Sequence, residues 1–252
     1  MRHPPCAGVV DAGLGPRTRA AEMDVTSQIP LDLGRREAAT FEAFVAGPNE
    51  ALVDALRAVA LGRVAETGIF LWGGPGLGKT HLLQAVCAAA VGGRAAYVPL
   101  ADRGRFVPAV LEGLEQLDVV CLDDAHCVAG DREWELALVD LYHRLQDTGA
   151  RWAVAGAARA QGMGLLPDLA SRLAGGLTFG LQELDEAEKR QVLQCRAATR
   201  GLTLADDAAH YLLTHCPRDL KVLCGILDRL DTAALAAQRR LTLPFIRSVL
   251  SG

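Results

Sequence analysis

The stretch GIFLWGGPGLGKT, residues 68–80, decides the fold. Its first five residues form a short apolar run typical of a buried strand, and from Lys79 onward the apolar residues recur at helical spacing. Between the two, residues 73–80 satisfy the pattern G-x-x-x-x-G-K-[ST] of a phosphate-binding loop. Strand, loop and helix in this order are the context that the motif requires, so we predict a nucleotide-binding site.

The loop directs several groups at one anion. Its glycines let the backbone curl until several N–H groups face a phosphate, and the following helix adds the positive end of its dipole. Lys79 is expected to reach the outer phosphates, and Thr80 to supply a hydroxyl ligand to Mg²⁺. The predicted nucleotide contacts are Gly73, Gly74, Pro75, Gly76, Leu77, Gly78, Lys79, Thr80 and His81. For His81, packing on the helix is the alternative interpretation.

A second acidic element follows the apolar run VVCL, residues 119–122. In nucleotide hydrolases with a phosphate loop, a carboxylate at the end of a buried strand holds Mg²⁺, and its neighbour can orient the attacking water. Asp123 suits the first role, together with Thr80, and Asp124 is assigned to the second as a catalytic candidate. Two carboxylates that merely mark a strand end are the alternative.

The pattern of predicted secondary structure divides the chain into two parts. Up to about residue 180, strand candidates alternate with helix candidates, among them helices at residues 49–65 and 105–117, which predicts an α/β core with a parallel sheet wrapped by helices. VVCL lacks polar alternation and is therefore predicted to be a central strand covered on both faces. The remaining segments are all helical in period. We expect a nucleotide-binding core over residues 40–182 and a small all-helical domain over residues 183–252.

The amino-acid composition excludes several classes of protein. The 252 residues are 50% hydrophobic, which excludes a mostly disordered chain, and a net charge of -4 excludes a surface that coats nucleic acid. Seven cysteines without a C-x-x-C pair indicate buried apolar residues in a reducing cytoplasm. We found no apolar run of bilayer length and no signal peptide. Residues 1–22 are interpreted as a disordered or untranslated extension, which N-terminal sequencing of the native protein would test.

Several segments resemble one family. TFEAFVAGPNEAL (residues 40–52), the phosphate loop with its helix, VVCLDDAHCVAGDREWE (119–135) and LPDLASRL (166–173) resemble the DnaA-related AAA+ ATPases, and among them the Hda-type regulatory inactivators of DnaA. The resemblance covers roughly residue 28 to the end of the chain. It implies an AAA+ core followed by a helical lid domain, with ADP or ATP and Mg²⁺ as cofactors.

The resemblance also assigns roles to single residues. It implies that Phe44 and Val45 line the adenine pocket and that Arg218 faces the nucleotide from the lid. It places an arginine finger at Arg172, whose guanidinium would enter the nucleotide site of a neighbouring molecule and spread the charge of the transferring phosphoryl group. Without the family, Arg172 would be interpreted as a surface arginine paired with an acid.

A short motif lies in the leader that we expect to be flexible, residues 23–39. Residues 28–33 look like the Q-x-x-L-x-[LF] motif by which bacterial replication proteins dock on the DNA sliding clamp. Such a peptide needs one amide and two apolar side chains, and proline reduces the entropy lost on ordering. The predicted clamp contacts are Gln28, Ile29, Pro30, Leu31, Asp32 and Leu33.

Two departures from the family pattern bear on activity. The strand RWAVAG runs into Ala157 and Ala158, where many AAA+ enzymes have a polar sensor, and Asp124 is shorter than the usual glutamate. We therefore expect weak intrinsic ATPase activity at most. No helix-turn-helix module is expected after the lid, which disfavours an initiator.

Together these features predict a cytoplasmic negative regulator of replication initiation. It would bind nucleotide, most simply ADP by resemblance, dock on the polymerase III sliding clamp loaded on DNA, and stimulate hydrolysis of ATP bound to DnaA. It would contact DNA only indirectly, through the clamp, and self-association is left open. A DnaA-like or helicase-loader ATPase with its own turnover, and an adaptor with a vestigial phosphate loop, are the alternatives.

Overall fold

The computed structural model describes residues 39–217, 219–237 and 241–250. Within them the first part of the chain forms a five-stranded sheet in the order β2-β3-β4-β1-β5, and every neighbouring pair of strands is parallel. The strands are β1 Gly68–Trp72, β2 Ala95–Pro99, β3 Val119–Asp123, β4 Arg151–Gly156 and β5 Leu177–Gly180. The predicted α/β core with a parallel sheet is confirmed.

Helices cover both faces of this sheet. They are α1 Glu50–Ala60, α2 Lys79–Ala89, α3 Arg132–Thr148 and α4 Pro167–Ala174. Because side chains alternate along a strand, Ile69 and Leu71 pack with α1 and α2, while Phe70 packs with α3 and α4 on the opposite face. Helix α2, which follows the phosphate loop, and helix α4, which carries Arg172, therefore lie on opposite faces of the sheet.

Strand β3 is buried at all five positions, as its apolar run predicts. It is an interior strand, paired with β2 on one side and β4 on the other, but the middle of the sheet is β4. Strand β5 was not predicted. It is a four-residue edge strand whose side chains are alternately half-buried and exposed, which is a weak signal in sequence.

Two helix predictions need correction. Residues 105–117 do not form an α-helix; they lie among the short 3-10 turns Leu100–Arg105, Pro108–Leu111 and Leu114–Gln116. Pro108 lacks a backbone donor and Gly113 adopts a positive φ of 80°, so neither permits a continuous helix. The helix expected at residues 49–65 ends at Ala60, just before Gly62 at φ 65°.

The C-terminal part of the described chain is helical. It contains α5 Glu186–Thr199, α6 Asp206–His215, α7 Leu220–Ala237 and α8 Leu243–Leu250. Asp185 and Glu188 form a reciprocal capping box that fixes the start of α5. A separate apolar cluster, including Leu193, Leu212 and Leu227, holds these helices together. No helix in the described ranges is long and apolar enough to span a bilayer.

Candidate nucleotide-binding site

The phosphate loop connects the end of β1 to the start of α2. Gly76 and Gly78 have positive φ values of 77° and 94°, a backbone region that glycine enters without a steric penalty. At Gly78 a side chain is also excluded, because an added Cβ would lie 2.8 Å from Cε2 of Phe44. The ring of Phe44, predicted to line the adenine pocket, thus packs directly against the loop.

Lys79 lies inside this loop. Its side chain is 9% exposed, and Nζ donates hydrogen bonds to the carbonyl oxygens of Gly73 at 2.7 Å and Gly74 at 2.6 Å. Burial lowers the pKa of Lys79, while Asp123 and Asp124 act in the opposite direction. A buried cation that is held by backbone carbonyls, with its charge balanced by carboxylates, fits an anionic phosphate group.

Asp123 is the most enclosed carboxylate of the site, with 1% exposure. Its Oδ2 accepts hydrogen bonds from the hydroxyls of Thr80 at 2.6 Å and Tyr97 at 2.8 Å, and its Oδ1 accepts one from the backbone N–H of Asp124 at 2.9 Å. The two residues predicted to hold Mg²⁺, Thr80 and Asp123, are therefore in direct contact. A carboxylate and a hydroxyl are hard oxygen donors of the kind that Mg²⁺ prefers.

Asp124 sits at the turn that leaves β3. It is the one non-glycine residue with positive φ in the described chain, at 57°. Burial, followed by the charge of Asp123, raises its pKa, and His126, Lys79 and Lys221 act to lower it. Lys221 belongs to α7, so a cation of the helical domain lies within electrostatic range of the nucleotide site, a feature that the sequence analysis missed.

The start of α7 approaches the loop from the helical domain. The Asp219 carboxylate caps this helix by accepting a hydrogen bond from the backbone N–H of Val222 at 3.0 Å. The same carboxylate lies 3.3 Å from the position that a Cβ on Gly76 would occupy. Arg218, assigned to the nucleotide by resemblance, lies outside the described residues, as do Gln28 to Leu33 of the leader.

The entry segment, which precedes α1, contacts the phosphate-loop region and also the residues that link β5 to the helical domain. Nε2 of His81 lies 2.8 Å from the carbonyl oxygen of Thr40, and its ring centroid lies 5.7 Å from that of Phe44. His81 therefore faces the entry segment, which agrees with the packing alternative. Phe44 and Val45 are both half-buried.

Asn49 is a structural residue whose role sequence reasoning missed. The sequence suggests a helix start there, but its side chain makes no capping bond. Instead Nδ2 donates to the carbonyl oxygen of Gln182 at 3.1 Å, and Oδ1 accepts from the N–H of Gln182 at 2.8 Å. This buried amide ties the entry segment to the end of β5, where the chain leaves the core. Nothing local in the sequence indicates a partner 133 residues away.

Arg172 lies on the last turn of α4, away from the phosphate loop. Its Nη1 lies 2.9 Å from Oδ1 of Asp168, one helical turn earlier, and its guanidinium lies 5.8 Å from the ring centroid of Tyr142. The arginine is 28% exposed and Asp168 is 54% exposed. This is a partly exposed ion pair within one helix, and such a pair contributes only about 0–1 kcal/mol to stability.

Two further features of the sequence lie after the ends of strands β4 and β3. Strand β4 ends at Gly156, and Ala157 and Ala158 follow it at the end of the sheet where a polar sensor would stand. His126 and Cys127 lie beside Asp124, but the described residues contain no group of three or more His, Cys, Asp or Glu side chains placed to hold a metal ion.

Two family models match separate parts of the chain. The bacterial DnaA ATPase domain model matches residues 35–99, and the Hda lid domain model matches residues 185–250. The first match includes the phosphate loop and the second covers all four C-terminal helices.

Solved structures give the same assignment of fold. Domain III of the replication initiation protein DnaA from Thermotoga maritima has a TM-score of 0.73 at 23% identity, covering 86% of this chain and 97% of that one. DnaA from Aquifex aeolicus bound to AMPPCP has a TM-score of 0.65 at 23% identity, covering 77% and 65%. The RuvB branch migration motor from Thermotoga maritima follows with 0.59 at 19% identity, covering 80% and 68%. At these identities the likeness shows the fold, an AAA+ core followed by a helical lid.

Proposed function

We propose that this chain, which belongs to the DnaA- and Hda-related AAA+ proteins, switches off replication initiation by stimulating hydrolysis of ATP bound to DnaA. The observation that carries the proposal is the combination, in one chain, of an Hda-type lid with a complete set of phosphate-loop groups. The experiment that tests it is hydrolysis of DnaA-bound ATP with this protein and clamp-loaded DNA.

The nucleotide in this account is a structural cofactor. Phe44 and Val45 would hold the adenine side, the loop and Lys79 the phosphates, and Thr80 with Asp123 the Mg²⁺. ADP is the resident nucleotide we favour, because of the Hda resemblance. The bound nucleotide would supply negative charge. The N–H groups of the loop, the Lys221 cation and the positive end of the α7 dipole would attract this charge and so hold the lid domain against the core.

Weak turnover by the chain itself follows from two features of the site. Asp124 is one methylene shorter than the glutamate that many AAA+ proteins have at this position, so its carboxylate reaches less far toward an attacking water. At the end of β4, Ala157 and Ala158 offer no polar group to a γ-phosphate. Both features favour a regulator over an autonomous motor.

The position of Arg172 supports action on a second molecule. The helix that carries it packs on the sheet face opposite α2, whose first residues are Lys79 and Thr80. Arg172 is 28% exposed on that face, so its guanidinium is accessible to the nucleotide site of a neighbouring molecule. We propose that this neighbour is DnaA and that Arg172 stabilises the charge of its transferring phosphoryl group.

Docking on the sliding clamp would bring the protein to replicating DNA. We propose that Gln28 to Leu33 bind the clamp as an extended peptide and give the protein a cytoplasmic, nucleoid-associated location. DNA is then contacted through the clamp, which agrees with a net charge of -4.

The double variant Gln28→Ala, Leu31→Ala should lose retention on DNA that carries a loaded clamp. It removes the amide at the pocket rim and one of the two apolar anchors, and truncation of anchors of this kind costs about 2 kcal/mol or more each, a loss of more than tenfold in affinity. Retention is measured by gel filtration of the protein with clamp-loaded DNA.

Ser27→Ala, which alters the leader just before the motif, is the matched control and should be retained like the unaltered protein. Equal retention of the double variant and this control would show that the leader does not bind the clamp. ADP affinity should be the same in all three proteins, because the leader contributes no group to the nucleotide site in this proposal.

A further inference from the structure

Tyr97 contacts the Asp123 carboxylate from a strand that the phosphate-loop motif does not include. Strands β2 and β3 pair in parallel with Tyr97 opposite Cys121 and Pro99 opposite Asp123. Tyr97 and Asp123 thus project from the same sheet face, and the long phenol side chain spans the two-residue offset. Its hydroxyl lies 2.8 Å from Oδ2 of Asp123.

We propose that Tyr97 is a positioning residue for Asp123, and that its hydroxyl holds the carboxylate in the orientation that sets the Mg²⁺ dependence of nucleotide binding. The inference deepens the proposed function and rests on the nucleotide site proposed there. It concerns a residue of β2 that neither the loop motif nor the acidic motif specifies.

The direction of the hydrogen bond is fixed by charge. A tyrosine phenol is protonated at neutral pH, since its ordinary pKa is about 10. The phenol O–H is therefore the donor of this hydrogen bond and the carboxylate oxygen of Asp123 the acceptor. Such a bond to a charged acceptor is stronger than one between neutral groups.

Tyr97 and Thr80 contact the same carboxylate oxygen of Asp123 but have different roles. Both donate to Oδ2 of Asp123, Thr80 from the first turn of α2 and Tyr97 from β2. The Thr80 hydroxyl is also a proposed Mg²⁺ ligand, so its position depends on what the loop binds. The Tyr97 hydroxyl also interacts with the Thr80 hydroxyl but is not a proposed Mg²⁺ ligand, and its strand is paired to β3 along its whole length. It is therefore the constant restraint on the carboxylate.

The expected loss follows from the behaviour of outer-shell partners in metal sites. Residues that orient a metal ligand typically contribute a factor of about 10 to 100 in metal affinity. Without the phenol hydroxyl, Oδ2 keeps only the Thr80 donor, while Oδ1 keeps the Asp124 N–H. The carboxylate would then be free to turn toward solvent or toward Lys79.

The test is the variant Tyr97→Phe, which removes one oxygen atom and keeps the ring. Affinity for a fluorescent ADP analogue is titrated over a range of Mg²⁺ concentrations and in EDTA. We expect the Mg²⁺ concentration for half-maximal enhancement of affinity to rise about tenfold, with the affinity in EDTA unchanged. Tyr211→Phe, on α6 where the ring stacks on His215, is the matched control and should behave like the unaltered protein.

A second background distinguishes positioning from general packing. In Asp123→Asn, the carboxylate that Tyr97 positions is absent, so adding Tyr97→Phe should cause no further change in the Mg²⁺ dependence. Unaltered Mg²⁺ dependence in Tyr97→Phe, a loss of affinity already present in EDTA, or an undiminished effect in the Asp123→Asn background would each overturn the proposal. If the unaltered protein binds no ADP under any condition, the proposed nucleotide site fails, and the inference with it; ADP binding with normal Mg²⁺ dependence in Tyr97→Phe overturns the inference alone.

Discussion

Replacing Arg172 by alanine should remove most of the stimulation of DnaA-bound ATP hydrolysis, by a factor of about 10³ and up to about 10⁵, the range that an arginine finger contributes. The guanidinium would neutralise charge that develops on the transferring phosphoryl group of the partner's nucleotide. The variant should bind ADP and the clamp normally, because Arg172 contacts Asp168 and Tyr142 on the sheet face opposite helix α2. Single-turnover hydrolysis of labelled ATP on DnaA measures the effect.

Two further variants test which property of the Arg172 guanidinium stimulates hydrolysis. Arg172→Lys keeps a positive charge but loses the planar fork of donors, so we expect it to restore little of the activity. Arg132→Ala removes an exposed arginine from the first turn of α3 and should stimulate hydrolysis fully. Full stimulation by Arg172→Ala would mean that another group completes the site on DnaA.

Replacing Lys79 by alanine should lower the affinity for ADP by about ten- to a hundredfold, since hydrogen bonds to charged groups contribute about 1.5–3 kcal/mol each. The free energy of unfolding without nucleotide should fall as well, because the buried Asp123 carboxylate loses a nearby cation. Part of this loss is offset, because burial lowers the pKa of Lys79 and so opposes its charge in the folded protein. Calorimetric ADP titration and urea unfolding measure the two quantities separately.

Lys189→Ala provides the control for this substitution. Lys189 lies on α5 and forms only a 3.9 Å ion pair with the exposed Glu183, so the variant should bind ADP normally. If Lys79→Ala retained full affinity, the loop would not be a working nucleotide site, and the adaptor with a vestigial loop would become the better account.

The phosphate loop was predictable because all of its information is local. A fixed spacing of glycines, one lysine and one threonine specifies both the backbone and the chemistry, and the flanking strand and helix have strong periodic signals. The same holds for Asp123, which follows four consecutive apolar residues. The structure brings Lys79, Thr80 and Asp123 together as these signals require.

Other parts of the site depend on pairing between distant segments. Tyr97 reaches Asp123 only because β2 and β3 pair in one register, and a shift of one residue would move its side chain to the other face. Asn49 has its partner at Gln182, and Lys221 comes near Asp124 only when α7 packs beside the loop. None of these relationships leaves a periodic or compositional signal in the chain.

The errors in secondary structure have local causes. The apolar spacing of residues 105–117 suggests a helix, but Pro108 and Gly113 prevent continuous backbone hydrogen bonding and break the segment into short turns. Strand β5 has only four residues and lies at the edge of the sheet, so its pattern is too short to detect before its pairing with β1 is known.

The central claim is that the reaction this protein promotes takes place on another molecule's nucleotide. Its most direct test is ATP turnover measured with this protein alone, with DnaA, and with DnaA plus clamp-loaded DNA. We expect slow turnover in the first two mixtures and rapid conversion of DnaA-bound ATP to ADP in the third. Rapid hydrolysis by the isolated protein, or no acceleration in the third mixture, would contradict it.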